Sequence, residues 1–201
     1  MDKGQHFALS GSSGSGKTTL LNLIAGILQP DEGRVELDGR LISGANEALR
    51  DRLRAELMGY IFQTFNLLQG YTCLENVLLG MSFGGKPDRA RAVELLGRVG
   101  LSRRLEYFPR QLSSGQQQRV AVARALANQP KLVLADEPTG NLDPDNAAEV
   151  LGLIRDTCKE NGAALLLVSH DKSVLGQFEE IRDLSEINQV GAWPSGEEDG
   201  T

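Results

Sequence analysis

The sequence lacks the features that mark several large classes of protein. It has only two cysteines among 201 residues, too few for a disulfide framework, which favours a reducing compartment. Its longest apolar run, residues 163–168, is far shorter than the roughly 20 residues that a bilayer-spanning helix needs. No apolar stretch near the N-terminus resembles a signal peptide. We therefore expect an intracellular protein that reaches a membrane only through a partner.

Basic residues are also in short supply. The chain carries 21 Lys and Arg residues against 27 Asp and Glu residues, which gives a formal net charge of −6. Sequence-independent binding to nucleic acids depends on a surplus of Lys and Arg, so nucleic acid is excluded as the main partner. Aromatic residues make up only 5% of the chain, whereas glycine occurs 23 times and indicates many tight turns.

The sequence does contain a regular alternation of short apolar segments with longer segments whose residues favour helices. The pattern predicts strands at residues 6–10, 34–37, 59–62, 132–135 and 163–169. It predicts helices at residues 18–28, 47–57, 115–127 and 146–160. Apolar strands that alternate with helices are typical of a parallel sheet covered on both faces, so we predict an α/β fold with a mainly parallel sheet flanked by helices.

Residues 64–110 follow a different pattern. Their apolar residues recur at three- and four-residue spacings, which predicts an inserted, all-helical subdomain. We therefore divide the chain into a core at residues 1–63 and 111–190, the insert at 64–110, and a disordered tail at 191–201. The insert is basic in its second half, which is either a solvated helix face or a contact surface for an acidic partner. The basic residues are Arg89, Arg91, Arg98, Arg103 and Arg104.

Residues 11–18 read GSSGSGKT and lie between a predicted strand and a predicted helix. This is the pattern G-x-x-x-x-G-K-[ST], in which glycines let successive backbone N–H groups point at a phosphate. The positive end of the following helix adds to the attraction. We predict that Lys17 reaches the phosphates of a nucleoside triphosphate and that the Thr18 hydroxyl binds Mg²⁺. The predicted nucleotide-binding residues are Gly11, Ser12, Ser13, Gly14, Ser15, Gly16, Lys17, Thr18 and Thr19.

Two carboxylates, Asp136 and Glu137, end the predicted strand at 132–135. At the carboxyl edge of a parallel sheet they would face the phosphate loop. Because adjacent strand residues point to opposite faces, we expect two roles: one carboxylate holds Mg²⁺ and the other positions an attacking water as general base. His170 and Gln63 also follow predicted strands, but each taken alone is an ordinary strand-end residue.

Residues 112–119 read LSSGQQQR and open a predicted helix. Serines at this position are typical of a capped helix N-terminus. The same end is either a plain cap or a second anion-binding device, since helix N-termini attract phosphate.

Together these motifs resemble those of the ATP-binding subunits of ABC transporters. The matching stretches are GSSGSGKT at 11–18, Gln63, LSSGQQQR at 112–119, KLVLADE at 131–137, NLD at 141–143 and SHD at 169–171. They come in the family's order and cover residues 5–175. Residues 59–68 and 136–143 look most like the lipoprotein-release, macrolide-export and cell-division group. The resemblance implies a P-loop NTPase that hydrolyses ATP to power transport, in the direction of export or extraction.

The resemblance also implies roles for residues within one chain. Glu137 would be the general base, and His170 would contact the γ-phosphate. Gln63, Thr18 and Asp136 would face Mg²⁺.

Two kinds of partner follow from the resemblance. A second copy would form a homodimer with two ATP molecules between the subunits, in which Ser113, Gly115 and Gln116 contact the ATP of the other copy and Asp143 lies at the seam. A membrane permease would dock near residues 64–110 and hold the cytoplasmic subunit against the inner face of the cell membrane.

The sequence departs from the family pattern at two points. Ser114 stands where LSGGQ has a glycine, and if that position needs a positive φ, serine costs about 1–2 kcal/mol and we expect reduced activity. Only ten residues precede Gly11, so we expect that an N-terminal strand pair and its adenine-stacking aromatic residue have been lost by truncation. Phe7 is expected in the core, which leaves Trp193 as the other aromatic candidate. We therefore predict weak discrimination between ATP and GTP.

One other class of function stays open at this point. The chain could be a nucleotide-binding scaffold or degenerate cassette with little hydrolysis, as in a cell-division complex. The related DNA-repair ATPases are disfavoured, because they place long coiled-coil arms between the phosphate loop and the LSGGQ-type motif, and no sustained heptads occur here.

Overall fold

The computed structural model describes residues 1–12 and 14–188. Its main sheet has five strands in the order β4-β5-β6-β1-β7, and all four neighbouring pairs are parallel. The strands are β1 (His6–Ser10), β4 (Met58–Ile61), β5 (Leu132–Asp136), β6 (Ala164–Ser169) and β7 (Glu180–Asp183). A separate antiparallel hairpin joins β2 (Glu36–Leu37) to β3 (Arg40–Leu41). The predicted parallel sheet is confirmed.

Helices cover both faces of the sheet. They are α1 (Lys17–Ile24), α2 (Glu47–Leu57), α3 (Cys73–Gly84), α4 (Arg89–Arg98), α5 (Ser114–Ala125), α6 (Pro144–Asn161), α7 (Lys172–Leu175) and α8 (Leu184–Ile187). Successive strand residues bury their side chains on opposite faces. Leu165 and Leu167 of β6 pack into the core formed with α3 to α6, whereas Leu166 and Val168 pack into the core formed with α1 and α2.

Residues 64–110 hold α3 and α4, and a short 3-10 turn at Pro109–Gln111 crosses the end of this segment. Thr72 and Glu75 close the first turn of α3 with a reciprocal capping box. The apolar residues of α3 and α4, such as Val77 and Leu96, join the same buried cluster as Val120 of α5. The segment therefore packs directly on one face of the core.

Several elements differ from those predicted. The strand predicted at residues 34–37 is limited to the two residues of β2. The helix predicted at residues 18–28 begins at Lys17 and ends at Ile24, because Gly26 takes a left-handed φ of 66° beside Ile42. The elements β7, α7 and α8 were not predicted at all. Three of the four residues of β7 are charged, so it has no apolar alternation by which to recognise it.

Two other features bear on the predictions. Among the helices that the structure describes, none has the length and apolar character needed to cross a bilayer. The predicted tail at residues 191–201 lies outside the described residues.

A candidate nucleotide site at the carboxyl edge of the sheet

The carboxyl ends of β1, β4, β5 and β6 open onto one cleft of about 640 Å³. Parallel strands end at the same edge, so residues far apart in the chain meet there. The lining residues are Ser12, Gly14, Gly16, Lys17, Thr18, Thr19, Gln63, Asp136, Glu137 and His170. The structure therefore brings together the phosphate loop, both carboxylates, the glutamine and the histidine that the sequence singled out.

The phosphate loop links the end of β1 to the first turn of α1. Gly14 and Gly16 have φ values of 78° and 97°, a region that glycine enters without steric penalty. Lys17 is buried, with its Nζ donating hydrogen bonds of 2.8 Å to the carbonyl oxygens of Gly11 and Ser12. Ser13, also predicted to bind nucleotide, lies outside the described residues. The positive end of α1 thus faces the cleft with a lysine held beside it.

Glu137 lies just past the end of β5. Its Oε1 is 2.7 Å from His170 Nδ1 and 3.9 Å from Lys17 Nζ, and its Oε2 accepts a 3.0 Å hydrogen bond from Ser169 Oγ. The expectation that Asp136 and Glu137 point to opposite faces is wrong. The strand ends at Asp136, and Glu137 has a left-handed φ of 46°, which turns both carboxylates into one cleft.

Asp136 lies against the start of α1. Burial raises the pKa of its carboxyl group, and the negative charge of Glu137 raises it further, whereas a hydrogen bond from Thr18 and the charge of Lys17 lower it. A hydroxyl, a carboxylate and the amide oxygen of Gln63 are all hard oxygen donors. Mg²⁺ prefers such donors together with water and substrate phosphates, so Thr18, Asp136 and Gln63 fit the predicted ion.

Three polar residues for which the sequence predicts no role hold residues at or beside the cleft in position. Ser169 bonds Glu137, as described above. Asn141 Nδ2 donates to the Gln63 carbonyl at 2.8 Å, and Gln118 Nε2 donates to the Pro138 carbonyl at 2.6 Å. Gln118 is fully buried on α5. All three lie inside the motifs that resemble the family, but the sequence of a motif does not show which group each polar side chain will bond.

Six of the described residues that were predicted for the site do not line this cleft. Two of them, Gly11 and Ser15, belong to the phosphate loop itself, and the other four lie at the N-termini of α5 and α6. Ser113 caps α5, where its Oγ accepts from the Gln116 backbone N–H at 3.3 Å and its own N–H donates to Gln116 Oε1 at 3.1 Å. Asp143 caps α6 and accepts a 2.7 Å hydrogen bond from Asn146 Nδ2. Gly115 lies against Asn146, so that a Cβ there would be 2.7 Å from Asn146 Oδ1. The N-termini of α5 and α6 thus share one surface.

The structure also describes two residues at which the chain departs from the motif pattern, Ser114 and Phe7. Ser114 is the first residue of α5 and has right-handed helical backbone, so the strain weighed for a serine there is absent. Phe7 is half-buried in β1, and the Arg182 guanidinium lies 5.9 Å from its ring centre. Trp193 lies outside the described residues.

Comparison with known proteins agrees with this geometry. A family model described as ABC transporter matches residues 1–140. This chain belongs to the ABC transporter family. The Lipoprotein-releasing system ATP-binding protein LolD of Pseudomonas fluorescens is 44% identical over 190 residues, which cover 93% of this chain and 84% of LolD. LolD of Pseudomonas syringae pv. tomato is 46% identical over 181 residues, covering 89% and 80%.

A solved ABC cassette has the same fold. The dimeric, post-hydrolysis structure of the ATP-binding cassette MJ0796 bound to ADP and Pi superposes with a TM-score of 0.83 at 37% identity, covering 91% of this chain and 82% of that one. As an ABC cassette, the chain is an ATP-binding subunit that hydrolyses ATP to power transport. The alternative of a scaffold with little hydrolysis is not favoured.

Proposed function

We propose that this cassette hydrolyses ATP in the cleft with Glu137 as general base. The contacts of Glu137 carry the proposal: its carboxylate lies beside the loop lysine and is held by Ser169 and His170. A water on the γ-phosphate side of the cleft would give its proton to Glu137 as its oxygen attacks the phosphorus. ADP is the leaving group, and Lys17 balances the negative charge that develops on the phosphates.

Thr18, Asp136 and Gln63 would hold Mg²⁺ in this scheme. When bound, the ion supplies positive charge to the phosphate oxygens. The hydrogen bond between Thr18 and Asp136 presents these two oxygen donors side by side. His170 lines the same cleft and would meet the γ-phosphate from the end of β6.

The active form in this proposal is a homodimer. Ser113, Gly115 and Gln116 lie away from their own chain's cleft, on the surface that also carries Asp143. A second copy would bring that surface over the phosphate loop, with Asp143 at the seam, and the capped N-terminus of α5 would meet the γ-phosphate. The dimeric state of the MJ0796 cassette supports this arrangement.

A membrane permease would dock beside the insert at residues 64–110. A groove of about 580 Å³ lies between α2, β4 and α3, and apolar side chains are exposed there, Phe83 at 70% and Leu68 at 42%. Such a groove suits the apolar face of a partner helix. Arg124 of α5 donates to the carbonyl oxygens of Phe65 and Asn66, which joins the groove to the segment that follows Gln63. The likeness to the lipoprotein-releasing LolD supports extraction of a lipoprotein as the transport step, in which the subunit would work at the inner membrane face.

Glu137→Gln tests the base assignment. We expect the variant to bind ATP within about threefold of the parent and to lose at least about 100-fold in hydrolysis, because an amide does not accept the proton. With ATP trapped unhydrolysed, it should sediment as a dimer. The measurements are ATP titration, phosphate release and analytical ultracentrifugation.

The matched control is Glu94→Gln, the same change at an exposed position on α4. It should hydrolyse ATP like the parent. Hydrolysis by Glu137→Gln at the parent rate would remove Glu137 as the base. Parent protein that turns over no ATP, with or without its permease, would instead support the degenerate cassette.

A further inference from the structure

The segment that follows β7 packs against the outside of the phosphate loop. The backbone of β7 pairs with β1, and Asp183 Oδ2 accepts a 2.9 Å hydrogen bond from Ser10 Oγ, one residue before the loop begins. Leu184, the first residue of α8, is only 2% exposed, and a Cβ at Gly11 would lie 3.4 Å from its Cβ. Asp183 and Leu184 therefore lie in contact with the start of the loop.

Asn188 reaches the other end of the loop. Its side-chain Nδ2 donates a 3.2 Å hydrogen bond to the carbonyl oxygen of Ser15. Its own backbone N–H bonds the Leu184 carbonyl at 2.7 Å, which fixes Asn188 to α8. A Cβ placed on Gly16 would lie 3.5 Å from the same Nδ2 atom. The Asn188 side chain thus contacts the loop where it enters α1.

This contact fixes the orientation of the Ser15–Gly16 peptide, which lies in the phosphate loop. In a planar trans peptide the C=O of one residue and the N–H of the next point in opposite directions. Fixing the Ser15 carbonyl toward Asn188 therefore fixes the Gly16 N–H on the opposite side. Gly16 lines the cleft and has a φ of 97°, and glycine tolerates a flipped peptide more readily than any other residue. The hydrogen bond from Asn188 therefore selects one of the two orientations of this peptide.

We propose that Asn188 is a positioning residue for the phosphate loop: its amide holds the Ser15–Gly16 peptide so that the Gly16 N–H is ready to receive a nucleotide phosphate. The segment 183–188 then supports nucleotide binding without touching the nucleotide. The inference rests on phosphate binding by this loop and not on the role of Glu137. By linkage, bound nucleotide must also strengthen the contact of Asn188 with the loop.

The test is the affinity for ADP, measured by calorimetry on the full chain. Asn188→Ala removes the neutral hydrogen bond to the Ser15 carbonyl, so ADP should bind about two- to fivefold more weakly. Asn188→Asp keeps the shape but replaces the donor by an acceptor facing a carbonyl oxygen, and should bind at least as weakly as the alanine variant. In ATP hydrolysis, KM should rise in both variants while kcat stays at the parent value.

The matched control is Ile187→Ala, which shortens an exposed side chain on the same helix and leaves the Asn188 amide in place. It should bind ADP like the parent, and all variants should unfold near the parent temperature in the absence of nucleotide. The proposal is overturned if Asn188→Ala binds ADP like the parent or if Ile187→Ala weakens binding equally. Failure of the Glu137 assignment would leave the ADP result unchanged, so the two proposals fail separately.

Discussion

At the scale of single residues, the cleft depends on one unusual backbone conformation. Glu137 has a left-handed φ without being a glycine, which is uncommon and strained for a residue with a Cβ. In return its carboxylate meets Lys17, Ser169 and His170 at once. A regular strand ending would have sent this side chain to the other face of the sheet. The strain therefore lies where the chemistry is proposed to occur.

Ser114 gives a prediction at the same scale. Its right-handed helical backbone makes a glycine unnecessary at this position, so Ser114→Gly should leave ATP hydrolysis within about twofold of the parent. Phosphate release from the purified subunit, and from its complex with the permease, checks this. A rise of several-fold in the glycine variant would show that the serine hinders closure against the second copy.

At the scale of elements, β4 and α5 pack unusually closely. A Cβ on Gly59 would lie 2.3 Å from the Ala125 carbonyl oxygen and 3.3 Å from Pro130 Cγ. The obstacle is backbone, which cannot move aside as a flexible side chain does. This contact joins the strand before Gln63 to the helix that begins at Ser114.

Gly59→Ala should therefore lower the free energy of unfolding by about 1–3 kcal/mol, as overpacked sites do. Urea denaturation measures the loss. Gly152→Ala is the matched control, because Gly152 lies inside α6 with nothing within 4 Å of its Cβ position. Alanine there should raise stability by about 0.5–1 kcal/mol through helix propensity. Equal unfolding midpoints for the two variants would contradict the close-packing argument.

The elements also show what the sequence could predict and what it could not. The alternation of apolar strands with helices was enough to predict the parallel sheet, and LVLA in β5 or ALLLV in β6 leaves little choice of structure. The phosphate loop is recognisable because its spacing has a direct physical reason. The strand β7, EIRD, has no alternation of apolar and polar residues, so its position beside β1 could not be predicted from the sequence. The pairing of Asn188 with Ser15 joins residues 173 positions apart, and no local signal encodes it.

At the scale of the whole molecule, stability should depend on pH through His6. This residue lies on β1 beside Arg155 and Lys159 of α6, and burial first, then the two cations, lower the pKa of its imidazole. The folded state therefore resists taking up a proton that the unfolded chain accepts near its ordinary pKa of 6.5. Folding stability from this source is constant above about pH 7.5 and falls as the pH drops through 6.5 toward the lower folded-state pKa.

Comparing His6→Gln with the parent checks this, because glutamine does not titrate. Urea unfolding midpoints measured between about pH 7.5 and 5.5 should fall less steeply for the variant than for the parent. Parallel slopes for His6→Gln and the parent would show that His6 does not couple folding to pH.

The apolar residues of the insert at 64–110 belong to the main core, which limits how this segment can be exchanged between cassettes. Val77 and Leu96 share a buried cluster with Val120 of α5 and with Leu165 and Leu167 of the central strand β6. Replacing residues 64–110 with the corresponding segment of another cassette would pack foreign side chains against the unchanged residues of α5 and β6. A chimera made to change the proposed permease partner must therefore carry matching substitutions on α5 and β6, or it will lose stability.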